Sequence, residues 1–169
     1  MSHHHGSGKT RIVIKLGTGV LTDRRKRHDI SQMRRLVEQV SLLVKKHCCE
    51  VVLVSSSAIC GGMPVLGFTS RPKSLPEIQA CAAVGQCRLM TIYEGLFARK
   101  KLHVAQVLLT YFDLDSKMRR HNAQNTLNRL LAHNIIPVVN ENDTVAVEEI
   151  RFGDNDMLSA HVAEIVRAD

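Results

Sequence analysis

The chain of 169 residues is poor in aromatic side chains and has no long apolar segment. It contains no tryptophan, two tyrosines and four phenylalanines, so it offers little surface on which the bases of single-stranded nucleic acid could stack. No apolar run approaches the ~20 residues that a membrane-spanning helix needs. We therefore expect a globular protein that binds neither nucleic acid nor a membrane.

The cysteines are too irregularly spaced to form a metal site. None of the five has the paired spacing of a zinc ligand set. Cys60, Cys81 and Cys87 lie among apolar residues, where reduced thiols are the usual state in an intracellular protein. We predict a cytoplasmic protein with no metal ligands of its own.

Charge is distributed unevenly along the chain. Lysines and arginines number 23 against 16 aspartates and glutamates, for a net charge of +7. Basic clusters such as residues 24–27 and 99–101 can attract polyanions, but such clusters more often form solvated helix faces. Half of the carboxylates follow residue 140, and charges of one sign so close together favour a cationic partner.

Short apolar strands alternate with amphipathic helices from residue 10 onward, whereas residues 1–9 resemble a disordered tail or a tag. We predict strands at 11–16, 51–54, 104–109 and 135–139. Long helices are predicted from the cap at residue 29 to the last apolar position at residue 44, and over 74–100, 116–133 and 154–167. A short extended segment is predicted at 148–152. This alternation is typical of a three-layer α/β/α sandwich with a mostly parallel sheet, formed here by one domain.

Three of the helix starts carry recognisable capping patterns. Asp29 is followed three residues later by Gln32, and Ser74 by Glu77, which predicts a capping pair at the first site and a capping box at the second. The serines at 55–57 follow a strand and are expected to open a helix.

Polar motifs follow three of the predicted strands. They are Lys15-Leu16-Gly17-Thr18-Gly19, Ser55-Ser56-Ser57, and Asn140-Glu141-Asn142-Asp143 with the later Gly153-Asp154-Asn155-Asp156. Ligands of parallel α/β sheets bind outside the carboxyl ends of the strands. We therefore expect these motifs, which are far apart in sequence, to meet in space.

The first two motifs suit an anion. Glycines such as Gly17 let backbone amides approach a phosphate, and Lys15 adds positive charge, although the order of residues matches neither a Walker loop nor a dinucleotide fingerprint. The serine triplet lacks the elbow of a nucleophile. We interpret it as a set of hydroxyl and amide donors, with helix capping as the alternative.

The acidic motif suits an ammonium group better than calcium, because it lacks the glycine and distal glutamate of an EF-hand loop. Asp143 and the amide of Asn155 are candidate acceptors for the ammonium. Asp156, in the first turn of a helix, is positioned to hold a phosphate-binding lysine, although a structural role at the positive end of the helix dipole is the alternative.

Together these segments resemble the amino acid kinase family and, within it, the glutamate 5-kinases. The resemblance covers nearly all of the chain from Thr10 to Asp169. It is carried, in order, by residues 13–18, 54–56, 83–86, 139–143 and 153–156. Asn-Glu-Asn-Asp at 140–143 followed by Gly-Asp-Asn-Asp at 153–156 is its most specific part.

The resemblance implies ATP-dependent, Mg²⁺-requiring phosphorylation of the side-chain carboxylate of L-glutamate to L-glutamyl 5-phosphate. This is the first step of proline biosynthesis, with proline as feedback inhibitor. It also assigns roles to residues. Lys15 and Asp156 would be catalytic, Gly17 and Thr18 would lie beneath the phosphates, and glutamate would be bound by Ser56, Asp143 and Asn155.

Two departures qualify the resemblance. Ser57 stands where the family usually has glycine, so its β-carbon is expected to crowd the glutamate site or to force a backbone change. The chain also stops where the family would continue into its nucleotide-binding half. Residues 10–169 are thus expected to be the glutamate-binding portion of a kinase domain, truncated before that half, with little or no activity alone.

Two other interpretations stay open. The chain could serve another reaction of the same family, as an acetylglutamate kinase or an aspartokinase does, or it could be a non-catalytic module that binds glutamate or proline. The long helix predicted over 74–100 is a candidate interface for a homo-oligomer.

Overall fold

The protein forms a parallel sheet that positions three polar loops at one edge. A computed structural model describes residues 9–25, 27–146 and 155–169. In these parts of the chain the sheet has four strands in the order β1-β2-β4-β3, and all neighbouring strands are parallel. The strands are β1 (Arg11–Leu16), β2 (Glu50–Ser55), β3 (His103–Leu109) and β4 (Ile135–Glu141). The four predicted strands are confirmed, and most extend slightly beyond their predicted bounds.

Helices connect the strands and cover both faces of the sheet. They are α1 (Thr18–Leu21), α2 (Ile30–Lys46), α3 (Ala58–Gly62), α4 (Leu75–Ala98), α5 (Tyr111–Asp115), α6 (Lys117–Ala132) and α7 (Asp156–Val166). None of the helices within the described ranges is long and apolar enough to cross a membrane.

The core consists of two apolar clusters, one on each face of the sheet. Met33 of α2 and Leu89 of α4 pack with Leu53 of β2 in the first cluster. Leu127 of α6 and Leu158 of α7 belong to the second cluster, whose strand residues include Val52 and Val54. Since alternate side chains of β2 enter opposite clusters, this strand is buried on both faces. The predicted three-layer α/β/α sandwich is confirmed.

The last helix returns the chain to its first strand. The backbone N–H of Asp169 donates to the carbonyl oxygen of Arg11 at 3.0 Å, and the N–H of Arg11 donates to the Asp169 carboxylate at 2.7 Å. The Arg11 guanidinium also donates to the carbonyl of Val166. These bonds tie the end of α7 to the edge strand β1.

One of the predicted helix starts needs correction. Ser74 occupies the N-cap of α4, but its hydroxyl donates to the Glu77 carboxylate at 2.7 Å and does not cap a backbone N–H, so the predicted capping box is wrong. The helix predicted over 116–133 is confirmed as α6, and the short helix α5 that precedes it was not predicted. The side chains of Thr110 and Asp113 form a true capping box at the start of α5.

The capping pair predicted at the start of α2 is confirmed. The Asp29 carboxylate accepts from the backbone N–H of Gln32 at 3.0 Å, as the predicted capping pair requires. Three of the predicted segments lie partly or wholly outside the described residues. They are the extended segment at 148–152, residue 154 at the start of the last predicted helix, and residues 1–8 of the tail.

Candidate active site

The carboxyl ends of β1, β2 and β4 surround a pocket of about 420 Å³. Six of the seven residues predicted for the site line this pocket. They are Lys15, the phosphate-loop residues Gly17 and Thr18, and the substrate-binding residues Ser56, Asp143 and Asn155. The parallel register of the strands explains this, because it aligns their carboxyl ends at one edge.

The seventh predicted site residue, Asp156, contacts the pocket through Lys15. The Lys15 ammonium at the end of β1 lies 2.7 Å from the Asp156 carboxylate in the first turn of α7. The Lys15 side chain is 26% exposed and that of Asp156 is 70% exposed. The carboxylate therefore holds the ammonium at the rim of the pocket without removing it from solvent.

Gly17 is not required by the local backbone or by packing. Its φ of −72° is available to any residue, and a β-carbon there would lie 3.6 Å from the Lys15 ammonium, which is an ordinary contact. The close approach of a phosphate to Gly17 stays a prediction from the sequence.

A chain of buried side-chain amides joins the ends of β2 and β4. The Asn155 amide nitrogen donates to the carbonyl oxygen of Ser55 at 3.1 Å, to the hydroxyl of Ser56 at 3.1 Å and to the side-chain oxygen of Asn140 at 2.8 Å. The Asn140 amide in turn donates to the Gln86 side-chain oxygen at 2.9 Å. Asn155 has a left-handed backbone, with φ of 69°, which directs its side chain back toward the strands.

This network leaves specific groups for a ligand. The Asn155 nitrogen donates to protein oxygens, so the acceptor that this side chain can offer a ligand is its carbonyl oxygen. Its role toward an ammonium stays a prediction. The Ser56 hydroxyl accepts from Asn155, so its own proton remains to be donated to an anion. Asn140 and Gln86 were not predicted to support the site. Burial of Asn140 at the end of an apolar strand was the only available signal.

The pocket carries charges of both signs. Asp143 and Glu141 supply carboxylates, while Lys15 and Arg71 supply cations. Arg71 and Glu141 were missed as pocket residues. Arg71 lies in the irregular segment between α3 and α4, where no periodicity reveals its direction. This mixture matches a small ligand that bears an ammonium group and more than one anionic group.

The wall formed by residues 56–60 is fixed by an unusually close contact between α3 and α4. A β-carbon built at Gly85 of α4 would lie 1.7 Å from the carbonyl oxygen of Ala58, far inside any permitted contact. The two backbones can therefore meet only if residue 85 is glycine.

The buried Tyr93 and the half-buried His28 hydrogen-bond to residues at the end of β2 or just after it. The hydroxyls of Tyr93 and Ser55 are 2.9 Å apart, and burial raises the pKa of Tyr93 to about 12. The Nε2 atom of His28 donates to the carbonyl oxygen of Ser57 at 3.2 Å. Burial lowers the pKa of His28 below its usual 6.5, and the positive charge of Arg88 acts in the same direction, while the bond to Ser57 opposes both. His28 is therefore a neutral donor near pH 7.

No three His, Cys, Asp or Glu side chains within residues 9–25, 27–146 and 155–169 are grouped closely enough to hold a metal ion.

A doubly covered parallel sheet, with a lysine, hydroxyls and carboxylates gathered at its strand ends, defines an α/β protein that binds a small charged ligand. The model of the amino acid kinase family matches residues 10–169. The chain belongs to this family, and the resemblance found in its motifs is confirmed.

The relatives to which the chain is similar are glutamate 5-kinases. The chain is 51% identical over 159 residues to the glutamate 5-kinase of Teredinibacter turnerae, covering 94% of this chain and 42% of the relative. It is 48% identical over 161 residues to that of Alcanivorax borkumensis, covering 95% and 43%. The chain therefore spans less than half the length of these curated relatives.

A solved structure supports the fold independently. The crystal structure of UMP kinase from Ureaplasma parvum superposes on 95% of this chain and 66% of that chain with a TM-score of 0.60. The sequence identity is only 15%, so this similarity concerns the architecture alone.

Proposed function

We propose that the chain is the acceptor-binding portion of a glutamate 5-kinase, which transfers the γ-phosphoryl group of ATP to the side-chain carboxylate of L-glutamate. The observation that carries this proposal is the pocket itself. It combines Lys15, paired with Asp156, with the three residues assigned to glutamate, in a chain about half identical to glutamate 5-kinases.

Recognition of L-glutamate needs acceptors for one ammonium group and donors for two carboxylates. Asp143 and the side-chain oxygen of Asn155 are the proposed acceptors. The Ser56 hydroxyl, whose oxygen already accepts from Asn155, is the proposed donor. A charge-assisted bond of this kind is about twice as strong as a neutral one.

Transfer of the phosphoryl group brings two anions together. An oxygen of the glutamate carboxylate forms the new bond to the γ-phosphorus, and the bond from that phosphorus to the β–γ bridging oxygen breaks, so the electron pair leaves with ADP. The barrier is lowered by positive charge at the transferring group. We assign this role to the Lys15 ammonium, with Asp156 orienting it and Gly17 and Thr18 lying beneath the phosphates.

ATP and Mg²⁺ complete the proposal. Mg²⁺ at kinase sites is usually bound by one or two carboxylates together with substrate phosphates and water. We propose that the cation arrives bound to the phosphates of the nucleotide.

The expected activity of residues 1–169 alone is low. They match 42% of the length of the Teredinibacter turnerae relative, and we propose that the contacts to adenine and ribose belong to the remainder. A coupled assay for ADP release should therefore detect little turnover with glutamate and ATP. Robust turnover would contradict this assignment while leaving the glutamate site intact.

Calorimetric titration with L-glutamate tests the acceptor site directly. We expect binding by the unchanged chain, and an affinity about tenfold lower in Asp143→Asn, because the ammonium loses a charged acceptor. Glu94→Gln, an exposed carboxylate on α4, is the matched control and should bind as the unchanged chain does.

The same titration separates the rival substrates. Acetylation removes the ammonium that Asp143 is proposed to accept, so N-acetyl-L-glutamate should bind more weakly than L-glutamate, and L-aspartate should be too short to span the site. Preference for either would contradict the proposal. Binding of L-glutamate without any contribution to phosphoryl transfer in the full-length protein would instead favour a non-catalytic module.

Three further predictions rest on the family alone. Proline is proposed to inhibit the enzyme, α4 to form a homo-oligomeric interface, and the protein to act in the cytoplasm. Displacement of L-glutamate by proline in the titration, and sedimentation of the chain, would check the first two.

A further inference from the structure

Ser57 has a backbone conformation that serine rarely adopts. Its φ is 80° and its ψ is 8°, in the left-handed region, where a β-carbon is strained and glycine is favoured. Residues held in this way cluster at ligand-binding and active sites. The sequence predicted that a β-carbon here would force a backbone change. Instead, serine accepts the conformation that would suit glycine.

The surrounding structure imposes this conformation. The carbonyl oxygen of Ser57 accepts from the backbone N–H of Gly61 at 3.0 Å and from His28 Nε2 at 3.2 Å. The next residue, Ala58, is held against Gly85 of α4. These contacts use only the backbone of Ser57, so the fold would form equally well with glycine at this position.

The side chain of Ser57 has no structural use within the described residues. The residue is 6% exposed, yet its hydroxyl has no hydrogen-bond partner and does not cap α3. A buried hydroxyl without a partner is a net cost to the folded state. Serine therefore brings two costs, backbone strain and an unmade hydrogen bond, that glycine would avoid.

Ser57 is one of the residues that line the pocket, and its buried hydroxyl has no partner among the described residues. We infer that Ser57 is a further substrate-binding residue, whose hydroxyl donates a hydrogen bond to a carboxylate of the bound acidic amino acid. The inference rests on the proposed function. The partner is a carboxylate and not the ammonium, since Asp143 and Glu141 already supply charged acceptors in the same pocket.

The test compares Ser57→Ala with Ser57→Gly by calorimetric titration with L-glutamate. Alanine keeps the β-carbon and removes the hydroxyl, whereas glycine removes both. If the hydroxyl binds substrate, both variants lose about tenfold in affinity, the effect expected for a hydrogen bond to a charged group. Ser31→Ala, which removes a hydroxyl at the start of α2, should leave the affinity unchanged.

The stability of the variants in the absence of ligand separates an effect on binding from an effect on folding. In urea, Ser57→Gly should be at least as resistant to unfolding as the unchanged chain, because glycine relieves the left-handed strain. A lower affinity in a variant that is no less stable cannot result from a damaged fold.

Several results would overturn the inference. Unchanged or tighter glutamate binding by Ser57→Gly would show that the hydroxyl contributes nothing or that the β-carbon crowds the site. Weaker binding of inorganic phosphate, with unchanged binding of glutamate, would assign the hydroxyl to the phosphoryl group instead. Failure of the unchanged chain to bind L-glutamate would contradict the proposed function, and this inference with it.

Discussion

The Lys15 ammonium and the Asp156 carboxylate are 2.7 Å apart, although the two residues come from the first strand and the last helix of the described chain. Both remain accessible to water at the rim of the pocket. Exposed ion pairs contribute little to stability. Their close approach agrees with the proposal that Asp156 orients the Lys15 ammonium for phosphoryl transfer.

A double-mutant cycle would test this explanation. We expect Lys15→Met and Asp156→Asn to show a coupling free energy of unfolding below about 1 kcal/mol, decreasing further in high salt. Urea titrations of the four proteins give the coupling. A value near the ~3 kcal/mol lost when a buried pair is broken would show that the pair holds the fold together.

The orientation of the Asn155 amide can be tested by substitution. Asn155→Asp would place a carboxylate against the carbonyl of Ser55 and the side-chain oxygen of Asn140, so we expect it to lower the free energy of unfolding by about 3 kcal/mol. Asn155→Gly keeps the left-handed backbone and loses only the side-chain bonds, at a cost of roughly 1 to 2 kcal/mol. Equal stabilities in urea would mean that the amide nitrogen does not face these oxygens.

Two glycines of α4 should respond in opposite ways to alanine. Gly85→Ala would drive a β-carbon into the Ala58 carbonyl, and we expect a loss of about 3 kcal/mol or more, together with weaker glutamate binding as the pocket wall moves. Nothing lies within 4 Å of a β-carbon at Gly95. Gly95→Ala should therefore stabilise the helix by about 0.5 to 1 kcal/mol. Thermal unfolding of both variants measures the two changes in stability.

His28 should make stability depend on pH below neutrality. Its pKa is lowered in the folded state, so as the pH falls below about 6.5 the unfolded chain takes up a proton that the folded chain resists. Stability is thus full above the unfolded pKa and is lost as the pH falls toward the folded one.

The comparison of His28→Gln with the unchanged chain isolates this effect, because glutamine retains a donor for the Ser57 carbonyl but cannot be protonated. Urea midpoints measured from pH 7.5 to 5 should fall less in His28→Gln. The exposed His121 supplies the control, since His121→Gln should keep the full pH dependence. Identical slopes for all three proteins would contradict the prediction.

The sequence predicted the strands and the convergence of their ends because both follow from local patterns. Continuous β-branched runs at residues 12–14 and 51–54 indicate buried parallel strands, and parallel register then aligns whatever follows them. No such pattern reveals the contact between Gly85 and Ala58, since a close approach of two backbones depends on tertiary distance alone.

The capping patterns show a second limit of prediction from the sequence. Ser74 with Glu77 and Thr110 with Asp113 have the same spacing, yet only the second pair forms a capping box. The Ser74 hydroxyl donates to the carboxylate and so forgoes the backbone. Spacing identifies which side chains can meet, whereas the direction of the hydrogen bond depends on rotamers that the sequence does not record.

The hydrogen bonds between Asp169 and Arg11 have a consequence for synthesis on the ribosome. Asn155 lines the pocket at the start of α7, and the residues after α7 are hydrogen-bonded to β1. Contacts between segments so distant in sequence form late in folding. A nascent chain in which residues 155–169 are still inside the ribosome has Lys15 and the serines of the pocket but lacks Asn155, so we expect a ligand of the pocket to stabilise only polypeptides from which this segment has emerged.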